Sequence, residues 1–134
     1  MIRYGILHCH SENSLHDSPM HVETLLKRAK MLGAPAVALT DHDTMMGIDE
    51  FMDLGKKYEI NTIPGIEASY VMDIEQNPYL NVFEEHQDGL HRNHLILMAK
   101  DMDGYRALIK AVKMSNYHQE KNAVKTITYN VMDK

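Results

Sequence analysis

Residues 18–43, "SPMHVETLLKRAKMLGAPAVALTDHD", carry a helix and a strand back to back, and their order decides the fold class. Ser18 followed by Pro19 has the form of an N-cap and a first helical position, and Val22, Leu25, Leu26, Ala29 and Leu32 recur at helical spacing until Gly33 closes the segment. The run from Ala34 to Leu39 is then short and apolar and ends in the polar Thr40, Asp41 and His42, the pattern of a buried strand. The alternation extends to both sides. Tyr4 to Cys9 reads as a first short buried strand, and a second helix is expected at roughly 44–58 with Met45, Ile48, Phe51, Met52 and Gly55 facing inward. "INTIPGIEASYV", 60–71, supplies a third strand in which Pro64-Gly65 suggests a bulge or bend close to Glu67. Residues 71–90 hold five carboxylates and no lysine or arginine, and read as an exposed acidic excursion. "HLILMAK" from His94 is a fourth strand, and Gly104 to Tyr117 a third amphipathic helix through Tyr105, Leu108, Ile109 and Val112. Strand alternating with helix at this spacing predicts an α/β fold of βαβ units with a mainly parallel sheet.

The chain of 134 residues is one domain's worth at most, and its 44% apolar and 25% charged residues are those of a globular protein. No apolar run approaches a membrane span and the first residues lack a signal-peptide pattern, so a cytoplasmic location and no membrane partner are expected. A single cysteine, Cys9, excludes an internal disulfide and reads as a buried apolar thiol. The net charge of −5 gives no global attraction for a nucleic-acid backbone, so contact with DNA would be local, metal-mediated or supplied by a larger chain.

Side chains two apart on a strand share a face, so His8 and His10 point the same way and Cys9 points opposite. In parallel α/β folds binding groups gather at the carboxyl ends of strands, where His8 and His10, His42 and Glu67 all fall. With Asp17 they form a nitrogen and oxygen set suited to Zn²⁺, Mn²⁺ or iron. His-x-His alone describes two solvent-facing imidazoles equally well; its convergence with "TDH" and "GIE" is what favours a metal site. Asp17 is either a ligand or a turn carboxylate capping backbone N–H groups. Asp41 should face away from His42, as a support for the ligands or a helix cap, and Asp43 and Thr44 read as caps. His94 either ligates or marks a strand edge. His16, His21, His86, His91 and His118 read as solvated surface, as do Arg92 and Arg106, although either arginine could meet a phosphate. The methionines, Met45, Met52 and Met98 among them, fit core positions.

"LHCHSENSLHD", "LGAPAVALTDHDTMMG", "IPGIEA" and "HLILMAKDMDGYRALIKAVKMS" resemble, in order, the PHP (polymerase and histidinol phosphatase) domain. The stretch from His94 to Ser115 is similar to the polymerase branch, the amino-terminal PHP domain of bacterial DNA polymerase III alpha subunits, and the resemblance spans about residues 2 to 118. It implies the opening half of a distorted (β/α)₇ barrel with mainly parallel strands and amphipathic helices outside, a partial PHP domain over residues 1–134. It also implies that His8, His10, Asp17, His42, Glu67 and His94 are metal ligands, six of the nine of a trinuclear site for Zn²⁺ or Mn²⁺, or iron. The other three, a cysteine or histidine and an Asp-x-His pair, would come from later strands, so partial metal occupancy is expected of these residues alone. The implied activity is metal-dependent phosphoester hydrolysis, 3′-to-5′ exonuclease-like, within a DNA-directed DNA polymerase. The implied partners are the remainder of the polymerase chain, DNA through that chain, and a proofreading exonuclease subunit. A non-catalytic platform within the polymerase is the first alternative; a histidinol-phosphatase-like enzyme is the second, and the stretch from His94 stands against it. Ser18 replaces a glycine usual in the polymerase branch, and His16 and Asp43 replace commoner neighbours.

Overall fold

The longest strand, β2 (Asn61–Val71), is the centre of the sheet. In the computed structural model, which describes residues 4–15, 17–71, 92–117 and 127–128, the first part of β2 pairs in parallel with β1 (Ala36–Leu39) and the second part pairs antiparallel with β3 (Arg92–Met98). Helix α1 (Val22–Leu32) precedes β1, and α2 (Ile48–Tyr58) connects β1 to β2 as a parallel crossover. Helix α3 (Met102–Tyr117) follows β3, and β4 (Ile127–Thr128) pairs in parallel with the end of β2. The α/β class is as expected, but the sheet is mixed: β3 runs back along β2 over seven residue pairs, from Gly65↔Met98 to Val71↔Arg92. A full barrel is not formed by the described residues.

Pro64-Gly65 carries no bulge. The offset of Leu39↔Pro64 persists at His42↔Glu67, and on the other edge the β3 register is unbroken. Pro64 needs only its carbonyl here, which accepts from Ala99 N at 2.8 Å. Gly65 lies so close to both neighbours that a Cβ would stand 2.8 Å from Leu97 O and 2.9 Å from Thr40 Cγ2.

The expected first strand is reduced to a single parallel bridge, Ile6↔Val37. Its backbone still follows β1, with Ile6 N to Ala36 O at 2.9 Å, Ala38 N to Ile6 O at 2.7 Å and Thr40 N to Cys9 O at 2.9 Å. Tyr4 and Leu7 are exposed, so this edge segment is not a buried strand. Helix starts also differ. Residues 18–21 stay out of α1 because Ser18 Oγ accepts from Met20 N and Met20 O accepts from Glu12 N, which leaves His21, with extended backbone, as the N-cap. At its other end Gly33, φ 73°, ends α1 in the left-handed conformation that glycine adopts without penalty. Helix α2 begins at Ile48 after a turn in which Thr44 Oγ1 accepts from Met46 N, and α3 begins at Met102 with Gly104 N on Asp101 Oδ1.

Val22, Leu26 and Ala29 of α1 pack with Val37 and Leu39 of β1, Ile48 and Phe51 of α2, and Ile60. A smaller cluster joins Ile66, Ala99 and Leu108, and Met45 and Tyr105 touch both. Leu32 of α1, Met98 of β3 and Ile109 of α3, expected inside, are exposed at 37%, 42% and 44%. No helix among the described residues is long and apolar enough to cross a membrane. His16, His86, His91, His118 and the acidic stretch after Val71 lie outside the described residues.

Candidate metal centre

Glu67 is the point on which the strand ends converge. It lies on β2, its side chain is 5% exposed, and the parallel bridge His42↔Glu67 sets the end of β1 beside it. On the other edge Ser69 is opposite His94, so His94 shares the face of Ser69 and, two residues back, of Glu67. His94 Nδ1 accordingly stands 2.7 Å from Glu67 Oε1. His8 and His10 share a face as alternation requires, and the Nε2 of each is 2.9 Å from Glu67 Oε2. The intervening Cys9 turns to the first core cluster, and burial pushes its thiol pKa up.

Asp17 is brought in by the loop after His10. Two successive turns, Ser14 N on Ser11 O and Asp17 N on Ser14 O, fold it back until Asp17 Oδ2 lies 3.4 Å from His42 Nε2. His42 Nε2 is also 3.5 Å from Glu67 Oε2. All six predicted ligand positions are therefore together, in three overlapping trios of possible ligand atoms: His8, His10 and Glu67; His10, Asp17 and His42; His42, Glu67 and His94. His94, which the sequence left open between ligand and strand edge, belongs to the cluster. His21 is instead an exposed residue paired with Glu12.

Ser14, Asp41 and Asp43 support the cluster through contacts that the sequence reading does not assign. Ser14 is fully buried, and its Oγ lies 2.8 Å from Asp17 Oδ2, 3.0 Å from His10 Nδ1 and 3.1 Å from His42 N. Asp41 faces away from His42 as expected, but it neither caps a helix nor touches an imidazole: its carboxylate accepts from Ser11 N at 2.6 Å and from Ser11 Oγ at 2.7 Å. Asp43 is not a helix cap either; its carboxylate accepts from Ser69 N and Ser69 Oγ, each at 2.8 Å. The spacing His10-x-x-x-Ser14-x-x-Asp17 was a usable signal for Ser14, whereas the Asp–Ser contacts cross between distant segments and leave no local trace.

The electrostatics of the cluster suit positive charge. Burial by itself raises the Glu67 pKa, but the His8 hydrogen bond and the His42, His8 and His94 imidazoles outweigh it and hold the carboxyl below the usual glutamate value. The Ser14 hydrogen bond, with weaker help from His42, His10 and His94, holds Asp17 below the usual aspartate value against a smaller opposing effect of desolvation. Asp17 is thus an ionised acceptor and takes the single Ser14 hydroxyl proton, so His42 N–H and His10 Nδ1–H must donate to Ser14 Oγ. With Nδ1 turned to Ser14, His10 directs Nε2 toward Glu67 Oε2 and His8 Nε2, each 2.9 Å away. The contact between Glu67 Oε2 and His10 Nε2 is met by a positive charge shared there, an imidazolium proton or a bound cation. Imidazole nitrogens and carboxylate oxygens are the donor set that zinc, manganese and iron take. The residues fit a metal.

The family model for the PHP domain matches residues 7–134. Among curated relatives, the DNA polymerase III subunit alpha of Borreliella burgdorferi is 36% identical over 115 residues, covering 84% of this chain and 9% of that protein. That of Aquifex aeolicus is 30% identical over 132 residues, covering 96% of this chain and 11% of that protein. The chain therefore spans only a small part of the length of either relative. Among solved structures, an amidohydrolase from Chromobacterium violaceum superposes with a TM-score of 0.59 at 24% identity, over 84% of this chain and 33% of that one, a likeness of fold alone.

Proposed function

Because this chain belongs to the PHP domain family, we propose that His8, His10, Asp17, His42, Glu67 and His94 hold divalent ions for phosphoester hydrolysis, and that the chain is the PHP segment of a DNA polymerase III alpha subunit. The gathering of these six side chains into three overlapping trios of nitrogen and oxygen ligand atoms, with Glu67 at their meeting point, carries the metal reading. Identity to alpha subunits over most of the chain supports the parentage.

Zn²⁺ and Mn²⁺ suit the donors best, iron next, and the three trios offer places for up to three ions in a complete site. Among the described residues each trio has three donors, fewer than the four of a closed zinc site, which leaves positions for water, substrate or ligands from further segments. Ions held there supply Lewis acidity toward a phosphoryl oxygen and a hydroxide nucleophile at neutral pH. The chain's own residues orient the donors. Glu67 offers one oxygen to His94 and the other toward His8, His10 and His42; Ser14 fixes His10 with Nε2 facing the cluster; Asp41 anchors Ser11 beside His10. In such a parent the partners are the remainder of the polymerase chain, DNA reached through it and a proofreading exonuclease subunit, and the setting is the cytoplasm.

The test is zinc and manganese titration of the chain, followed by assays on bis(4-nitrophenyl) phosphate, 4-nitrophenyl phosphate and 5′-labelled single-stranded DNA. Partial metal occupancy with weak metal-dependent hydrolysis of the diester and slow shortening of the DNA from its 3′ end, abolished in Glu67→Gln, is the expected result for a site that lacks the ligands of the later strands. Metal binding without hydrolysis of any substrate would point to a platform role, and turnover of the monoester alone to a small-molecule phosphatase. No bound metal would overturn the reading. Parentage is checked by the reading frame after Lys134, expected to continue into a polymerase region containing an Asp-x-His pair; a frame that closes without one contradicts it.

A further inference from the structure

His42 stands between two aspartates that do the same thing in opposite directions. Asp41 grips the backbone N–H and the hydroxyl of Ser11, next to His10, and Asp43 grips the backbone N–H and the hydroxyl of Ser69, opposite His94 and two residues beyond Glu67. Asp43 also adopts φ 51°, a left-handed conformation that costs most residues but that aspartate and asparagine tolerate. Its N–H donates to Glu67 O at 3.0 Å, and Glu67 N donates to Asp41 O at 3.1 Å, so backbone and side chain both tie residues 41–43 to the same part of β2.

We infer that Asp43 is a positioning residue: by holding Ser69 at two points it fixes the end of β2 against the end of β1, and so sets Glu67 and His94 at the distance from His42 at which the three share an ion. The Asp43 carboxylate bonds none of the six ligand side chains and acts through Ser69, beside the backbone bond from Asp43 N–H to Glu67 O that glycine keeps. A carboxylate is suited to this because it accepts two bonds side by side, one from the backbone and one from the hydroxyl. Ser69 is buried, so both bonds are shielded from competing water. This inference rests on the metal reading above.

The experiment compares the parent chain with Asp43→Asn, Asp43→Gly, Ser69→Ala and the double variant Asp43→Gly/Ser69→Ala. Zinc affinity is read by competition with a chromophoric chelator, and the ¹⁵N shifts of the His94 ring are read in metal-free protein. Glycine keeps the left-handed backbone and removes the grip, and its zinc affinity is expected to fall about tenfold. Asparagine keeps an acceptor for Ser69 N–H and a donor for Ser69 Oγ, and is expected to stay within about threefold of the parent. Ser69→Ala should lose less than Asp43→Gly, and the double variant no more than Asp43→Gly alone, the non-additivity of two residues in one contact. The His94 ring shifts should move in Asp43→Gly and not in Asp43→Asn. Parent-like affinity in Asp43→Gly, or a loss in Asp43→Asn as large as in Asp43→Gly, would overturn the inference. If the parent itself binds no zinc, the metal reading fails and the ring shifts decide this one: unchanged shifts in Asp43→Gly would refute it.

Discussion

Ser14 carries no charge, yet three parts of the cluster are hydrogen-bonded to its one hydroxyl. It accepts from His10 Nδ1 and His42 N and donates to Asp17 Oδ2, which fixes which His10 nitrogen faces Glu67. Ser14→Ala should therefore weaken zinc binding by about tenfold, the usual effect of removing a group that orients a ligand, with the His10 tautomer no longer held in nitrogen NMR spectra. Unchanged affinity and an unchanged His10 tautomer would show that the hydroxyl is incidental. At this scale the sequence was most informative where one periodicity sufficed. Alternation put His8 and His10 on one face and Asp41 away from His42. It could not assign His94, whose place depends on antiparallel pairing with Ser69, nor Asp43, whose left-handed backbone turns a carboxylate expected to cap a helix toward β2.

Helices α1 and α2 are fastened at their outer ends by Glu23, which accepts from the Tyr58 hydroxyl and from Lys57 Nζ and pairs with Lys27. The Tyr58 hydrogen bond first, then those of Lys57 and Lys27, pull its pKa down to about 2. A folded pKa below the unfolded value stabilises the fold in full above the ordinary glutamate range, and that contribution is lost as pH falls toward about 2. The melting temperature of Glu23→Gln should thus lie below the parent's at pH 6, and the gap should close as pH approaches 2. A gap independent of pH would contradict this. Gly65 is the corresponding weak point of the sheet: Gly65→Ala would press a methyl group onto Leu97 O and Thr40 Cγ2, and denaturant unfolding should report a loss of about 1–3 kcal/mol. A loss near zero would mean that the strands can part at no cost. Strands β1 to β3 and the helices were legible from apolar runs, and the end of α1 from Gly33, because those signals are local, whereas the apolar run at 4–9 forms only a single bridge to β1. Helix starts were not, because Met20 O bonds to Glu12 and holds residues 18–21 outside the helix.

For the molecule as a whole, membership of the PHP family and the convergence of six donors from four segments are one fact seen twice: the fold exists in a form that brings these strand ends together. The α/β class could be read from the alternation of elements. The mixed sheet could not, because nothing in a run such as "HLILMAK" says in which direction it will pair. The cluster is also where local expectation and packing disagree most, with lone pairs and carboxylates crowded around Glu67 at a strand junction that apolar groups would fill at lower cost. Anomalous diffraction at the zinc edge, from crystals of this chain grown with zinc, addresses that directly. A peak within bonding distance of Glu67 Oε2 and of the imidazoles of His10 or His42 is expected; a map with no peak at this cluster, or with zinc bound only elsewhere, would contradict a metal site here.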